Sequence, residues 1–305
     1  MRIKFWGVRG SIPVPGAKTV KYGGNTACIE LGFDQVDRHL IIDAGSGIRA
    51  LGNYLSASVN GQQVRQADLF LTHTHLDHII GFPFFAPLFD RRWKLTVYGP
   101  LTCEDDDLET VLGTQLSYRF FPVRQNELAA DVSYVNLTEG FFDLGGGILL
   151  RAAYLNHPLL CLAYRFEYKD KIVCTAYDTE PFQNLFSIDP DDPVASESMV
   201  SEGAQAAAEA NRRLEDFVSG ADLLIHDAQY TASEYADHRI GWGHTAIEDA
   251  ICLAQRAKVG QLVLFHHDPQ RSDAQLDEFG EIYCGESTNA GLKVDFAREG
   301  MEVII

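Results

Sequence analysis

Leu69-Phe70-Leu71-Thr72-His73-Thr74-His75-Leu76-Asp77-His78 sets a short apolar run directly against three imidazoles and a carboxylate. Residues 69–72 read as a strand, so the polar side chains fall where a strand ends and the chain turns. That is where α/β proteins place their sites. Three histidines and an aspartate within six residues offer the imidazole nitrogen and carboxylate oxygen that borderline divalent ions take. With alternate residues facing one way, His73 and His75 can grip one ion, and Asp77 with His78, past the turn, a second. Solvated loop histidines do not need this density, so the segment points to a dinuclear site.

Working outward, short apolar runs closed by small or polar residues recur at 4–8, 40–42, 95–98, 149–154, 162–167, 172–176, 223–226, 262–265 and 301–305. Helical periodicity occupies about 47–56, 104–112, 203–218, 245–257 and 273–290. Thr245 with Glu248 reads as a capping box for the fourth of these. Strands lead early and strand–helix alternation comes late, which predicts a mixed α/β sandwich in one large domain over 1–305. No internal repeat is visible. The one compositional break is the acidic, proline-bearing stretch 187–198, read as a surface loop or as a flap beside a pocket.

Against 25 basic residues stand 43 acidic ones, a formal charge of −18. Such a field repels nucleic acid unless a local basic patch overrides it, and so disfavours a tRNA partner. It leaves open a small phosphate ester drawn to a metal. No stretch approaches the roughly 20 apolar residues of a membrane span, and the opening residues lack the apolar run of a signal peptide. The six cysteines are scattered, several within apolar runs, as buried reduced thiols are. A cytoplasmic chain with no membrane association is expected.

The run His73-Thr74-His75-Leu76-Asp77-His78-Ile79-Ile80-Gly81 resembles the signature of the metallo-β-lactamase-fold hydrolases. Within them it is similar to the phosphodiesterase branch: ribonuclease Z, class II cyclic-nucleotide phosphodiesterases and phosphoribosyl cyclic phosphodiesterases. The resemblance implies a four-layer αβ/βα sandwich and two divalent ions, Zn²⁺ first, with Mn²⁺ or Fe open. It implies the remaining ligands one position at a time. His157, in Tyr154-Leu155-Asn156-His157-Pro158, joins His73 and His75 on the first metal. His266, preferred over its neighbour His267 because it follows the strand at once, joins Asp77 and His78 on the second. Asp178, after the run 172–177, bridges both.

The same resemblance implies that metal-bridged hydroxide attacks phosphorus while Asp77 and Asp178 offset the metal charge. His244, in Gly241-Trp242-Gly243-His244-Thr245, is similar to the family histidine that protonates the leaving oxygen. His226 and Asp227 resemble groups that orient ligands from behind. Arg9, Ser11 and Asn25, in glycine-rich opening segments, are candidates to donate to a phosphate. Asp43 resembles a structural hydrogen-bonding hub. His39 and His238 are read as surface residues.

The expected activity is hydrolysis of a small phosphodiester, a cyclic nucleotide or a cyclic sugar phosphate. Lactone or ester hydrolysis on the same site, tRNA 3′-processing, and a non-hydrolytic role like that of cofactor-biosynthesis relatives are the alternatives. Ribonuclease Z is nearest by ligand order, but 104–145 carries nine acids against two basic residues where a tRNA-clamping arm would need the reverse. Many members of the family dimerise, and a homodimer is carried over as an expectation.

Overall fold

The computed structural model describes residues 1–57, 63–101, 106–186, 197–285 and 291–305. The first half runs β1 (Arg2–Gly7), β2 (Cys28–Gly32), β3 (His39–Ile42), α1 (Ile48–Ala57), β4 (Arg65–Phe70), α2 (Leu76–Ile79), β5 (Trp93–Pro100), α3 (Leu108–Gln115) and β6 (Asp131–Leu137). There follow β7 (Gly140–Gly145), β8 (Ile148–Tyr154), β9 (Leu162–Tyr168), β10 (Lys171–Ala176), α4 (Glu197–Val218), β11 (Leu223–Asp227) and α5 (Ala232–His238). The chain closes with α6 (Ile247–Arg256), β12 (Gln261–Phe265), α7 (Asp273–Tyr283), β13 (Lys293–Phe296) and β14 (Glu302–Ile304).

Two seven-stranded sheets result, ordered β14-β1-β2-β3-β4-β5-β6 and β7-β8-β9-β10-β11-β12-β13. Read in those orders, each sheet makes three antiparallel pairings and then three parallel ones. The central parallel strands β11 and β12 are buried along their whole length, which is why they read as unbroken apolar runs. Ile3, Phe5, Ile42 and Phe70 of one sheet pack against Tyr164, Phe166, Val173, Ile225 and Phe265 of the other. Outside the first sheet, α1 and α3 contribute Ile48, Leu51, Leu55, Leu108 and Leu112 to a second core. Outside the other, α4, α6 and α7 contribute Phe217, Ile247, Leu253 and Leu276 to a third. The layers are therefore helix, sheet, sheet, helix, as expected.

Four strands escape the sequence pattern: β2, β6, β7 and β13. Three of them are sheet edges, where β6 and β7 alternate half-buried and exposed positions and so carry fewer apolar residues. The capping box expected at Thr245 is absent. Ala246 is the N-cap of α6 and makes no side-chain cap bond. Thr245 Oγ1 donates instead to the Thr179 carbonyl, and Glu248 accepts from Ala232 N at 2.8 Å and Tyr283 Oη at 2.6 Å. Reciprocal boxes occur at Thr231 with Glu234 and at Ser272 with Gln275. Of the acidic stretch, 187–196 lies outside the described residues, while Glu197 and Ser198 open α4. No helix among the described residues is long and apolar enough to cross a membrane.

Candidate metal centre

Most polar groups of the site lie at or just beyond the end of a strand. Asp43 follows β3, His73–His78 follow β4, His157 follows β8, Asp178 follows β10, Asp227 ends β11, and His266 follows β12. Backbone geometry shares the work. Ser11, Asp43, Asp178 and His266 all have positive φ, at 62°, 61°, 43° and 62°. This is a region that L-residues avoid unless the surrounding fold imposes it, and it recurs at sites.

Two donor groups meet there: His73, His75, His157 and Asp178 in one, Asp77, His78, Asp178 and His266 in the other. A tetrahedral ion with bonds of about 2.0–2.1 Å spaces its ligands about 3.3 Å apart. In the second group His78 Nε2 is 3.3 Å from His266 Nε2 and 3.3 Å from Asp77 Oδ2. His266 Nε2 is 3.2 Å from the same Asp77 oxygen, and both rings stand 3.3 Å from Asp178 Oδ1. In the first group His75 Nδ1 is 3.0 Å from His157 Nε2, and Asp178 Oδ2 is 3.6 Å from His73 Nε2. The two oxygens of Asp178 thus face different groups. His73 Nε2 and Asp178 Oδ1 are buried without a hydrogen-bond partner, an arrangement that costs free energy unless a cation takes both lone pairs.

The rings are aimed from behind. His78 Nδ1 donates to Asp43 Oδ2 at 2.8 Å, which leaves Nε2 free to ligate. Asp43 also accepts from Thr72 N at 2.7 Å, the hub role expected of it. His157 Nδ1 donates to the Gly243 carbonyl at 3.0 Å. His73 Nδ1 lies 3.1 Å from Thr72 Oγ1. Close backbone approach holds the assembly together: a Cβ on Gly10 would sit 2.4 Å from the His266 ring, and one on Gly243 2.3 Å from His157 Nδ1.

Electrostatics separate the residues. Burial keeps His73 and His75 below the ordinary imidazole range and brings His157 down to about 4, so these three are neutral lone-pair donors. Burial works the same way on His78, but Asp178, Asp77 and Asp43 overrule it and raise the ring well above 6.5. Burial alone would raise Asp77 and Asp178. The charges of His78 and His266 instead hold both carboxylates well below their usual range.

His244 stands beside both groups, its ring centroid 5.7 Å from His157 and 5.1 Å from His266. Its Nδ1 donates to Asp227 Oδ2 at 2.9 Å. Burial disfavours its charge, but Asp227, then Asp178 and Asp77, raise it to about 9.

Other expected residues fall elsewhere. His267 turns away, donating to the Ala297 carbonyl at 2.8 Å, while His266 faces Asp77. Asp227 is fully buried behind His244, whereas His226, one step along the strand, lies on the opposite face and bonds the Asp227 carbonyl through Nδ1. Of the pair, only Asp227 supports the site. Arg9 does not reach a phosphate: it is fully buried, donating to the carbonyls of Gly23 at 2.7 Å, Arg271 at 2.7 Å and Asp268 at 3.3 Å. Asn25 is likewise engaged, with Glu299 and Ser46. Ser11 does lie at the rim, exposed, its backbone N donating to Asp77 Oδ2 at 2.7 Å. His238 is exposed, but His39 pairs with Glu30 at 3.1 Å.

Sequence and fold comparisons bear on the fold that carries these groups. The metallo-beta-lactamase superfamily model matches residues 22–162, a span that includes His73–His78 and His157. Ribonuclease Z of Thermoplasma acidophilum is 25% identical over 310 residues, covering 93% of each chain. Ribonuclease Z of Shouchella clausii is 29% identical over 230 residues, 65% of this chain and 68% of that one. Among solved structures, the metallo-beta-lactamase fold protein YhfI of Bacillus subtilis superposes with a TM-score of 0.64 at 20% identity, over 99% of this chain and 98% of that one. The short form of human tRNase Z gives 0.61 at 17% identity, over 100% and 99%. With both sheets and their flanking helices in place, the chain has the metallo-β-lactamase fold, and its residues 22–162 are similar to the metallo-beta-lactamase superfamily.

Proposed function

We propose that the chain is a metal-dependent phosphodiester hydrolase acting on a small phosphodiester, a cyclic nucleotide or cyclic sugar phosphate. The observation that carries this reading is Asp178, which turns one oxygen to each donor group beside a histidine backed by a buried carboxylate. His73, His75 and His157 would hold one ion and Asp77, His78 and His266 the other, with Asp178 between. Imidazole-rich ligation favours Zn²⁺. Two divalent ions, when bound, would lower the pKa of a water so that it loses a proton to solvent and attacks as hydroxide, and would take up charge on the phosphoryl oxygens.

The protein's own groups do the rest. Asp77 and Asp178 offset the positive charge. His244, with Nδ1 committed to Asp227, holds its transferable proton on Nε2. As the water oxygen bonds to phosphorus, the bond to the leaving alcohol breaks and that proton passes to the departing oxygen.

A second reading, tRNA 3′-processing, is favoured by the name ribonuclease Z on the relatives. The exclusion of tRNA drawn from net charge finds no support in those relatives. What favours the small substrate is the segment before β6. There α3 buries Leu108 and Leu112 against the first sheet, and its surroundings are acidic. The test is turnover of bis-p-nitrophenyl phosphate by protein reconstituted with Zn²⁺ or Mn²⁺, with His75→Ala as the blank. Adenosine 3′,5′-cyclic monophosphate is then set against a precursor tRNA. Metal-dependent release and cleavage of the cyclic nucleotide are expected. Cleavage of the tRNA alone would replace this reading with the second, and no phosphoester turnover with metal bound would overturn both.

A further inference from the structure

Beside the metal centre lies a stack the proposed chemistry does not use. Arg239, just past α5, places its guanidinium carbon 4.3 Å from the Trp242 ring centroid and 5.6 Å from that of Tyr230. Tyr230 in turn packs edge-on against His244, ring centroids 6.1 Å apart. The loop carrying Arg239 and Trp242 is anchored at several points. Trp242 N donates to the Arg239 carbonyl at 3.1 Å, Gly241 N to Glu180 at 2.9 Å, and the Gly243 carbonyl accepts from His157. Trp242 is nevertheless 54% exposed. Its backbone is tied on both sides, and it stands one residue from the Gly243 carbonyl that aims the candidate ligand His157.

Arg239 adds a second, independent observation. Its side chain has no carboxylate or hydrogen-bond partner among the described residues, although the chain carries 43 acids to 25 basic residues. Cation–π contact holds the guanidinium in place and leaves its N–H fork unspent. A half-exposed tryptophan beside a cationic fork without a carboxylate partner, next to the candidate metal centre, matches the parts of a nucleotide. A base can stack on the ring while an anionic oxygen accepts from the fork.

We infer that Trp242 and Arg239 form a nucleobase subsite, so that the substrate is a nucleotide phosphodiester rather than a sugar phosphate. This rests on the phosphodiesterase reading and narrows it. Stacking uses the face that every base has, so adenine, guanine and uracil derivatives should differ little among themselves.

The experiment compares adenosine, guanosine and uridine 3′,5′-cyclic monophosphates with the base-free methyl riboside 3,5-cyclic phosphate, using the Zn²⁺-reconstituted protein. The nucleotides should be preferred in kcat/KM by about tenfold or more, the range of base–aromatic stacking. Trp242→Ala and Arg239→Gln should abolish that preference mainly through KM, while Trp242→Phe keeps most of it. An unchanged preference in Trp242→Ala, with an unaltered melting temperature, would overturn the subsite. If none of these esters is turned over, the phosphodiesterase reading fails separately. Binding of adenosine 5′-monophosphate by calorimetry then decides the subsite: binding weakened about tenfold by Trp242→Ala upholds it, and equal or absent binding removes it.

Discussion

His244 owes its properties to one buried carboxylate. Asp227 is fully buried and accepts from His244 Nδ1 at 2.9 Å and from Thr245 N and Thr179 N at 3.3 Å each. Nδ1 is thereby committed to Asp227, and the carboxylate favours the charged ring whose Nε2 carries the transferable proton. His244→Ala should keep both ions, measured by metal analysis, and lower kcat by about 10²–10⁴-fold, the usual worth of a positioned acid. Asp227→Asn should lower kcat in the same direction, and the double variant should be little worse than His244→Ala alone, because both changes remove one proton donor. Full activity in His244→Ala would end its assigned role. By contrast, Gly243→Ala should act on the metal. A methyl there would press on His157 Nδ1 at 2.3 Å from a backbone at φ +81°. Bound metal should fall toward one ion per chain with the fold intact by circular dichroism. The candidate cluster His73–His78 was legible in the sequence by its density at a strand end, whereas His157, Asp178 and His266 came only with the family resemblance, because alone each reads as an ordinary loop or cap residue. The engagement of Arg9 and Asn25 was not legible: beyond the nearby Gly23 and Ser46, their partners Arg271, Asp268 and Glu299 lie more than 200 residues away in the chain.

Among the elements, α6 best separates pattern from packing. Thr245 and Glu248 have the spacing of a capping box, yet each is drawn to a tertiary partner: Thr245 Oγ1 to the Thr179 carbonyl, Glu248 to Ala232 and Tyr283. Thr245 therefore ties the start of α6 to the loop after β10 that carries Asp178. Thr245→Val, nearly isosteric, should cost about 1–3 kcal/mol in the denaturant midpoint, since it strands a buried carbonyl. It should also lower kcat, because Asp178 and His244 flank the broken contact. Loss of stability with kcat unchanged would mean that the tie does not reach the site. Two of the missed strands, β6 and β7, have a related cause. A central strand such as β12 is buried on both faces and must be apolar, whereas β6 and β7 bury one face only and their sequences blur into loops. Periodicity reports burial, and edges have little of it.

At the scale of the whole molecule, the donor groups come from both sheets. Asp43 and His73–His78 follow strands of the first; His157, Asp178 and His266 follow strands of the second. Ions bound between them would staple the two sheets at one rim, while the apolar core between the sheets holds the rest. Chelation should therefore leave the chain folded but less stable. Metal at about 100 times its dissociation constant adds about 2.7 kcal/mol for one site, and a domain of this size shifts by roughly 2–4 °C per kcal/mol. Reconstitution with Zn²⁺ should thus raise the melting temperature by about 5–10 °C over the chelated protein. Asp178→Ala should lose most of that rise, because both groups share its carboxylate. His75→Ala should lose only part, because Asp77, His78, Asp178 and His266 remain to hold the second ion. Scanning calorimetry of the three proteins, chelated and reconstituted, checks the ordering. An equal rise in all three would mean that the stabilising ion binds elsewhere, and no rise in any would remove the metal centre itself.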